Sequence, residues 1–398
     1  MAPPRRRWLT RGVASVGLAS FFSDSGHEIT TSVLPTFVTV TLRGSAGALG
    51  LIEGISDGLT GLAKLLTGPL ANDEERRLQL ASGGYLVTAA ATGAIGLAAT
   101  VAQAGLLRAT AWLARGVRSP ARDAMLASLA PREAYGRAFG LERAGDNLGA
   151  VVGPLLAAGL VAWLGVRPAL YLAAIPGVFA ALAIIIAANA ARKRHDPVRR
   201  RYRLELRGLH EAGLLRPLLP ILAFELGNMA TTLLILRATT LLHVGGRSIA
   251  AATSLAVLIY AGHNLFAALV AYGGGHWIDR AGARAAFGVG ACAYIASYAL
   301  FATGSSGWLV LVLAFVLAGC GIGLAETAES ALFAQLLPDH LRGSGFGVLG
   351  GVQSLGDFAS SAAVGLLWTA VSPTAGFLYA VGWMVIAAAT SVLTRRPG

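Results

Sequence analysis

A chain of 398 residues would ordinarily suggest two or three soluble domains, but 55% of its residues are hydrophobic and only 13% charged, with a mean hydropathy of +0.64. A soluble domain carries about 25% charged residues, because its surface must be wetted. The net charge is +12, yet the arginines gather in short segments between apolar runs, as in cytoplasmic loops, and do not form a nucleic-acid surface.

Apolar runs long enough to cross a ~30 Å hydrocarbon core as helices occur in chain order at 13–41, 46–70, 78–99, 101–123, 139–164 and 168–190. They resume at 216–240, 249–273, 285–304, 307–332, 345–370 and 374–394. The expectation is an all-α integral membrane protein with twelve transmembrane helices. Its first run follows Arg5, Arg6, Arg7 and Arg11 as a signal peptide would. That run contains Asp24, His27 and Glu28 and has no small-residue cleavage site, so it reads as a retained span. Cys292 and Cys320 both lie inside apolar runs, which argues against a disulfide framework or a zinc site.

The halves repeat. GPLANDEERR at 68–77 aligns with GHWIDRAGAR at 275–284, Pro131 with Pro338, Gly140 with Gly347 and Gly149 with Gly356, each at an offset of 207 residues. A constant offset across three regions indicates a parallel repeat of six spans, related by a pseudo-two-fold axis along the membrane normal. The expected organisation is a six-helix bundle at 1–190, a basic linker at 191–215 and a second bundle at 216–398. Arginines concentrate at the N-terminus and near 71–77, 115–143, 191–216, 279–284, 342 and 395–396, which places both termini in the cytoplasm.

These motifs resemble those of the major facilitator superfamily, over nearly the whole chain. The superfamily's loop motif, Gly-x-Leu-Ala-Asp-Arg-x-Gly-Arg-Arg, is matched in its second copy by Gly275, Asp279, Arg280, Gly282 and Arg284. The first copy, with Gly68, Asp73 and Arg76, departs from it at Asn72, Asp73 and Glu75. Gly149, Gly153 and Pro154 resemble its antiporter motif, although Ala157 and Ala158 replace the final glycines. The segments 21–37 and 116–154 are similar to a bacterial branch whose substrates are mostly unassigned. The resemblance implies alternating access between two bundles, and proton-coupled transport of a small molecule.

The residues supply their own argument. An ionisable side chain inside a span costs about 2.5–3.5 kcal/mol, so it needs a partner or a wet path. Asp24, His27 and Glu28 share one face of the first span. Glu53, Asp57 and Lys64 fall within about 40° on the second, and Arg108, Arg115, Arg118 and Arg122 within about 80° on the fourth. Crowding and lost water disfavour ionised carboxylates in general, as a proton-coupled carrier requires. Asp24, Glu28, Glu53 and Asp57, with His27, are therefore read as the coupling set, and Arg108 and Lys64 as their charge-switch partners. For Arg115, Arg118, Arg122 and Asp123 a structural role at the membrane boundary is favoured, while Arg108 either pairs with the carboxylates or snorkels to an interface. In the second half Glu225, Asn228, His263, Asn264, Glu326, Gln353 and Asp357 are read as substrate-cavity residues, with interhelical contact as the competing reading.

Gly345-x-Gly347-x-x-Gly350 follows no strand and is no dinucleotide fingerprint; no P-loop, HExxH, CxxC or nucleophile elbow occurs. No enzyme, cofactor or bound metal is expected. The reading is a monomeric, proton-coupled exporter of a small organic molecule in a bacterial cytoplasmic membrane, whose partners are lipid, protons and substrate. The alternatives are uptake, transport of a metal ion or chelate, suggested by the ligand types Asp24, His27, Glu28 and Glu53, and a non-transporting sensor.

Overall fold

The structure, a computed structural model, describes residues 7–192 and 206–393. Among them no strand occurs. The first six runs become α1 (Arg11–Thr36), α2 (Ala46–Thr67), α3 (Glu74–Ala94), α4 (Val101–Leu129), α5 (Tyr135–Leu164) and a sixth span built from α6 (Val166–Leu172) and α7 (Ala174–Arg192). A short α8 (Leu206–Glu211) precedes a seventh span split into α9 (Leu215–Gly227) and α10 (Thr231–Val244). The remaining spans are α11 (Ile249–Ala281), α12 (Ala283–Ala302), α13 (Trp308–Leu336), α14 (Arg342–Ala370) and α15 (Pro373–Leu393). Linker residues 193–205, including Arg199, Arg200, Arg201 and Arg203, lie outside the described residues, as do 395–396.

Several helices begin where a side-chain oxygen can accept a free first-turn amide. Thr10, Ser45, Asp73, Thr100 and Ser248 all do so. At the arginine-rich end the helices outrun the apolar runs, α4 reaching Leu129, α5 starting at Tyr135 and α11 reaching Ala281. Their charged turns are bonded to neighbouring helices, so the helix continues where the hydropathy stops.

Eight spans among the described residues are long and apolar enough to cross a membrane on composition alone. The four that fall short, α1, α2, α4 and α14, carry polar stripes that turn inward. In the first half α1 packs on α5 and α7, and α4 on α2 and α3. In the second, α12 packs on α13 and α15, and α13 on α11. The halves meet through α5 against α11 and α2 against α14. The 207-residue offset carries α2 onto α11 and α5 onto α14, so each interface is the repeat image of the other.

Two glycine seams set these distances. Gly145 and Gly149 lie against the backbone of Gly17 and Phe21, and Gly153 against Glu28, so α1 and α5 approach at backbone distance. Gly54, Gly58 and Gly61 share one face of α2, and Gly68 follows directly at its end. Near the arginine-rich end Gly68 touches Gly343 and Gly347, and Gly61 meets Ser354, whereas a Cβ on Gly54 or Gly58 would meet nothing within 4 Å. The halves are therefore closed at the arginine-rich end and splayed at the other.

Candidate functional site

The polar stripes of α1, α2 and α4 converge inside the first half. Asp24, whose side chain is 8% exposed, pairs with Arg115 at 2.8 Å. Arg108 is 1% exposed. It bonds Glu53 and Thr31, each at 3.1 Å, and lies 3.7 Å above the Trp112 ring. It is a paired interior arginine and does not snorkel. Trp112 also donates to Asp57 at 2.8 Å and stacks on His27, with ring centroids 4.1 Å apart. His27 is 3.5 Å from Glu28. Asp24, Glu53, Asp57 and Glu28 are thus distributed over separate partners, and among the described residues no three His, Cys, Asp or Glu side chains group to hold a metal.

Arg115, Arg118, Arg122 and Asp123 all line a cavity of about 150 Å³ between the halves. Arg122 binds Glu142 at 2.7 Å and Asp123 at 2.9 Å. Arg118, 3% exposed, is different, because its neighbours are the Ser23 hydroxyl at 2.6 Å and the Tyr85 ring at 3.6 Å, and its Nη1 has no hydrogen-bond partner among the described residues.

The second half contributes Glu225, Glu326, Gln353 and Asp357 to the same cavity. The seventh span breaks between Gly227 and Thr231, and Asn228 at the break donates to both Asp357 (2.9 Å) and Glu225 (3.2 Å). Irregular backbone at membrane depth is tolerated where it lines a cavity or finds side-chain partners; here the Ala230 amide binds Ser361. Gln353 donates to Glu329 at 2.8 Å, Arg143 reaches Glu326 at 3.5 Å, and Lys64 binds Ser354 at 3.1 Å across the halves. His263 and Asn264 are not among the cavity-lining residues; the His263 ring makes a 3.1 Å contact to the Phe315 carbonyl, between α11 and α13.

Two latches close the arginine-rich end. In one, Gly275 packs on Gly136, and Asp279 accepts from the Gly136 amide (2.6 Å), the Arg137 amide (3.3 Å) and Arg137 Nε (2.6 Å). Its chain neighbour Arg280, matched in the same motif, is exposed, and Arg284 is half-buried. In the other, Gly68 packs on Gly343, and Asn72 exchanges bonds with the Ser344 amide (2.9 Å) and hydroxyl (2.7 Å). Asn72 is the repeat image of Asp279, and Ser344 that of Arg137. The first copy, despite its altered sequence, makes the equivalent contact between the halves. Asp73 caps α3, and the neighbour of Arg76, buried Arg77, crosses to Asp339 at 3.5 Å. On the pseudo-two-fold axis Tyr135 accepts a 2.6 Å bond from its own repeat image, Arg342.

The residues that sequence reasoning passed over are Trp112, Glu142, Arg143, Arg77, Arg137 and the Tyr135–Arg342 pair. Glu142 and Asp146, one turn apart on α5, formed a readable stripe. Arg137 and Ser344 were readable only by applying the repeat to the latch itself.

The chain was compared with known proteins. The description of the Major Facilitator Superfamily matches residues 16–262, more than half of the chain. It is 25% identical over 378 residues to an uncharacterized MFS-type transporter of Methanocaldococcus jannaschii, covering 94% of this chain and 92% of that protein. An uncharacterized protein of Mycobacterium tuberculosis is 32% identical over 182 residues, 44% of this chain and 43% of that one. Among solved structures, a human organic anion transporter superposes with TM-score 0.74 at 17% identity, over 98% of this chain and 100% of that one. A bacterial homologue of the iron transporter ferroportin in an outward-facing state gives TM-score 0.73 at 16% identity, over 97% and 99%. At such identities these likenesses establish the fold alone.

Proposed function

The chain belongs to the major facilitator superfamily and is a multi-pass membrane transporter of the secondary type, and from that premise we propose that it couples protons to the export of a small organic molecule across a bacterial cytoplasmic membrane. The bodies that move are residues 1–190 and 216–398, joined by the basic linker 191–215, and they rock about the central cavity.

The observation that supports coupling is the two interior ion pairs Glu53–Arg108 and Asp24–Arg115, in each of which one partner, Arg108 or Asp24, is buried. Protonating Glu53 breaks its pair and leaves the buried Arg108 without that carboxylate, which is strongly unfavourable until another acceptor arrives. Asp24, Glu28, Glu53 and Asp57 would carry the protons, with His27 in the relay and Arg108 and Lys64 as the released cations. Glu225, Asn228, Glu326, Gln353 and Asp357 would face the substrate. Export is supported by the resemblance of Gly149, Gly153 and Pro154 to the superfamily's antiporter motif; the two glycines seat α5 against the Asp24 and Glu28 turns of α1.

Proteoliposomes under an imposed pH gradient test this, with a panel of organic amines, organic acids and metal ions. Asp24→Asn and Glu53→Gln should each abolish uphill transport at equal expression while leaving insertion intact. Arg108→Gln should abolish its pH dependence. Wild-type uphill transport in all three variants would refute the coupling.

A further inference from the structure

The two walls of the central cavity carry opposite charge. The first half supplies all five basic residues of the lining, Lys64, Arg115, Arg118, Arg122 and Arg143, against the acids Asp123 and Asp146. The second half supplies three acids, Glu225, Glu326 and Asp357, and no base. The formal balance is +3 on one wall and −3 on the other.

Most of these charges are already used. Arg115 is held by Asp24, Arg122 by Glu142 and Asp123, and Arg143 by Glu142 and Glu326. What remains on the basic wall is Lys64, whose ammonium bonds the Ser354 hydroxyl at 3.1 Å, and Arg118, buried and without a carboxylate within ion-pair distance, its Nη1 without a hydrogen-bond partner among the described residues. What remains on the acidic wall is Glu225 and Asp357, which share the single amide of Asn228. A buried guanidinium without an anion, and two carboxylates sharing one neutral donor, are both under-compensated.

We infer that the cavity binds a small zwitterion, its anionic group on Arg118 and Lys64 and its ammonium group on Glu225 and Asp357. This rests on the reading of the cavity as the substrate site. An anion alone would face the acidic wall and a cation alone the arginines; a molecule carrying both charges complements both walls. A cavity of about 150 Å³ accommodates a molecule of roughly benzene size, so the two charges sit a few bonds apart. Since Arg118 belongs to one half and Glu225 and Asp357 to the other, the ligand bridges the two bodies and favours the arrangement in which both contacts are made at once.

The test is a thermal-shift titration of the purified full-length protein with alanine, γ-aminobutyrate and glycine betaine, each against butyrate and butylamine. At least one zwitterion should stabilise the protein at concentrations about tenfold or more below those needed of butyrate or butylamine, the margin expected when one desolvated charge goes unpaired. Arg118→Gln and Glu225→Gln should each erase that margin, and should either variant not fold, the titration of the unmodified protein still decides. Equal or better stabilisation by butyrate or butylamine, or none by any zwitterion, overturns the inference. A proteoliposome assay separates it from the coupling. Zwitterion binding without proton movement upholds the substrate class and sinks the coupling, whereas proton movement driven by butylamine or butyrate alone does the reverse.

Discussion

The two latches occupy equivalent positions under a 207-residue repeat, yet they hold by different chemistry. In the second copy a carboxylate, Asp279, caps the first turn of α5 and pairs with Arg137, its side chain 6% exposed. In the first copy an amide, Asn72, makes two neutral bonds to Ser344, and the charge has moved five residues along the chain to Arg77 and Asp339. The glycine contacts beneath are conserved in geometry, Gly275 on Gly136 and Gly68 on Gly343. Close backbone approach is thus the invariant part of the closure. The polar group set upon it can vary, provided that the amides it faces are satisfied.

The difference predicts unequal effects, read as labelling of a Ser119→Cys reporter in the cavity from the arginine-rich side. Asp279→Ala should open that side most, because it removes three acceptor contacts and leaves Arg137 without its carboxylate, a loss of about 3–5 kcal/mol. Arg77→Gln comes next. A bond to a charged partner contributes about 1.5–3 kcal/mol, and Asp339 retains Arg342 at 3.0 Å. Asn72→Ala removes two neutral bonds, about 1 kcal/mol each. Tyr135→Phe, which deletes the bond on the pseudo-two-fold axis, should have the smallest effect, about 1 kcal/mol. Equal labelling in Asp279→Ala and Asn72→Ala would abolish the distinction between the latches.

Much of this architecture was legible in the chain. The hydropathic runs locate the spans, and the constant offset between Gly140 and Gly347 reveals the repeat. The stripes on α1, α2 and α4 point to the interior because charge is costly in lipid. Less legible was where a stripe ends. Arg115, Arg118 and Arg122 lie close to the end of an apolar run, and only the helix continuing to Leu129 places them beside the cavity. Partner choice was also hidden. Nothing in the spacing pairs Asp279 with Arg137 rather than with its neighbour Arg280; that follows from Gly136 and Gly275 bringing α5 and α11 into contact. His263 has the composition of a cavity residue, but its ring turns toward the Phe315 carbonyl of α13.

The central claim is that closing one end and opening the other are a single motion of two bodies. Spin-label distances test it most directly, in a background lacking Cys292 and Cys320. One pair, Gly58→Cys and Gly365→Cys, spans the splayed end, where neither glycine has an atom in reach of an added Cβ. The other, Glu75→Cys and His340→Cys, spans the latched end at exposed positions on opposite halves. Introducing Asp279→Ala should lengthen the distance at the latched end and shorten it at the splayed end in the same population. A lengthening at the latched end with no change at the other, or a lengthening at both, would contradict the account.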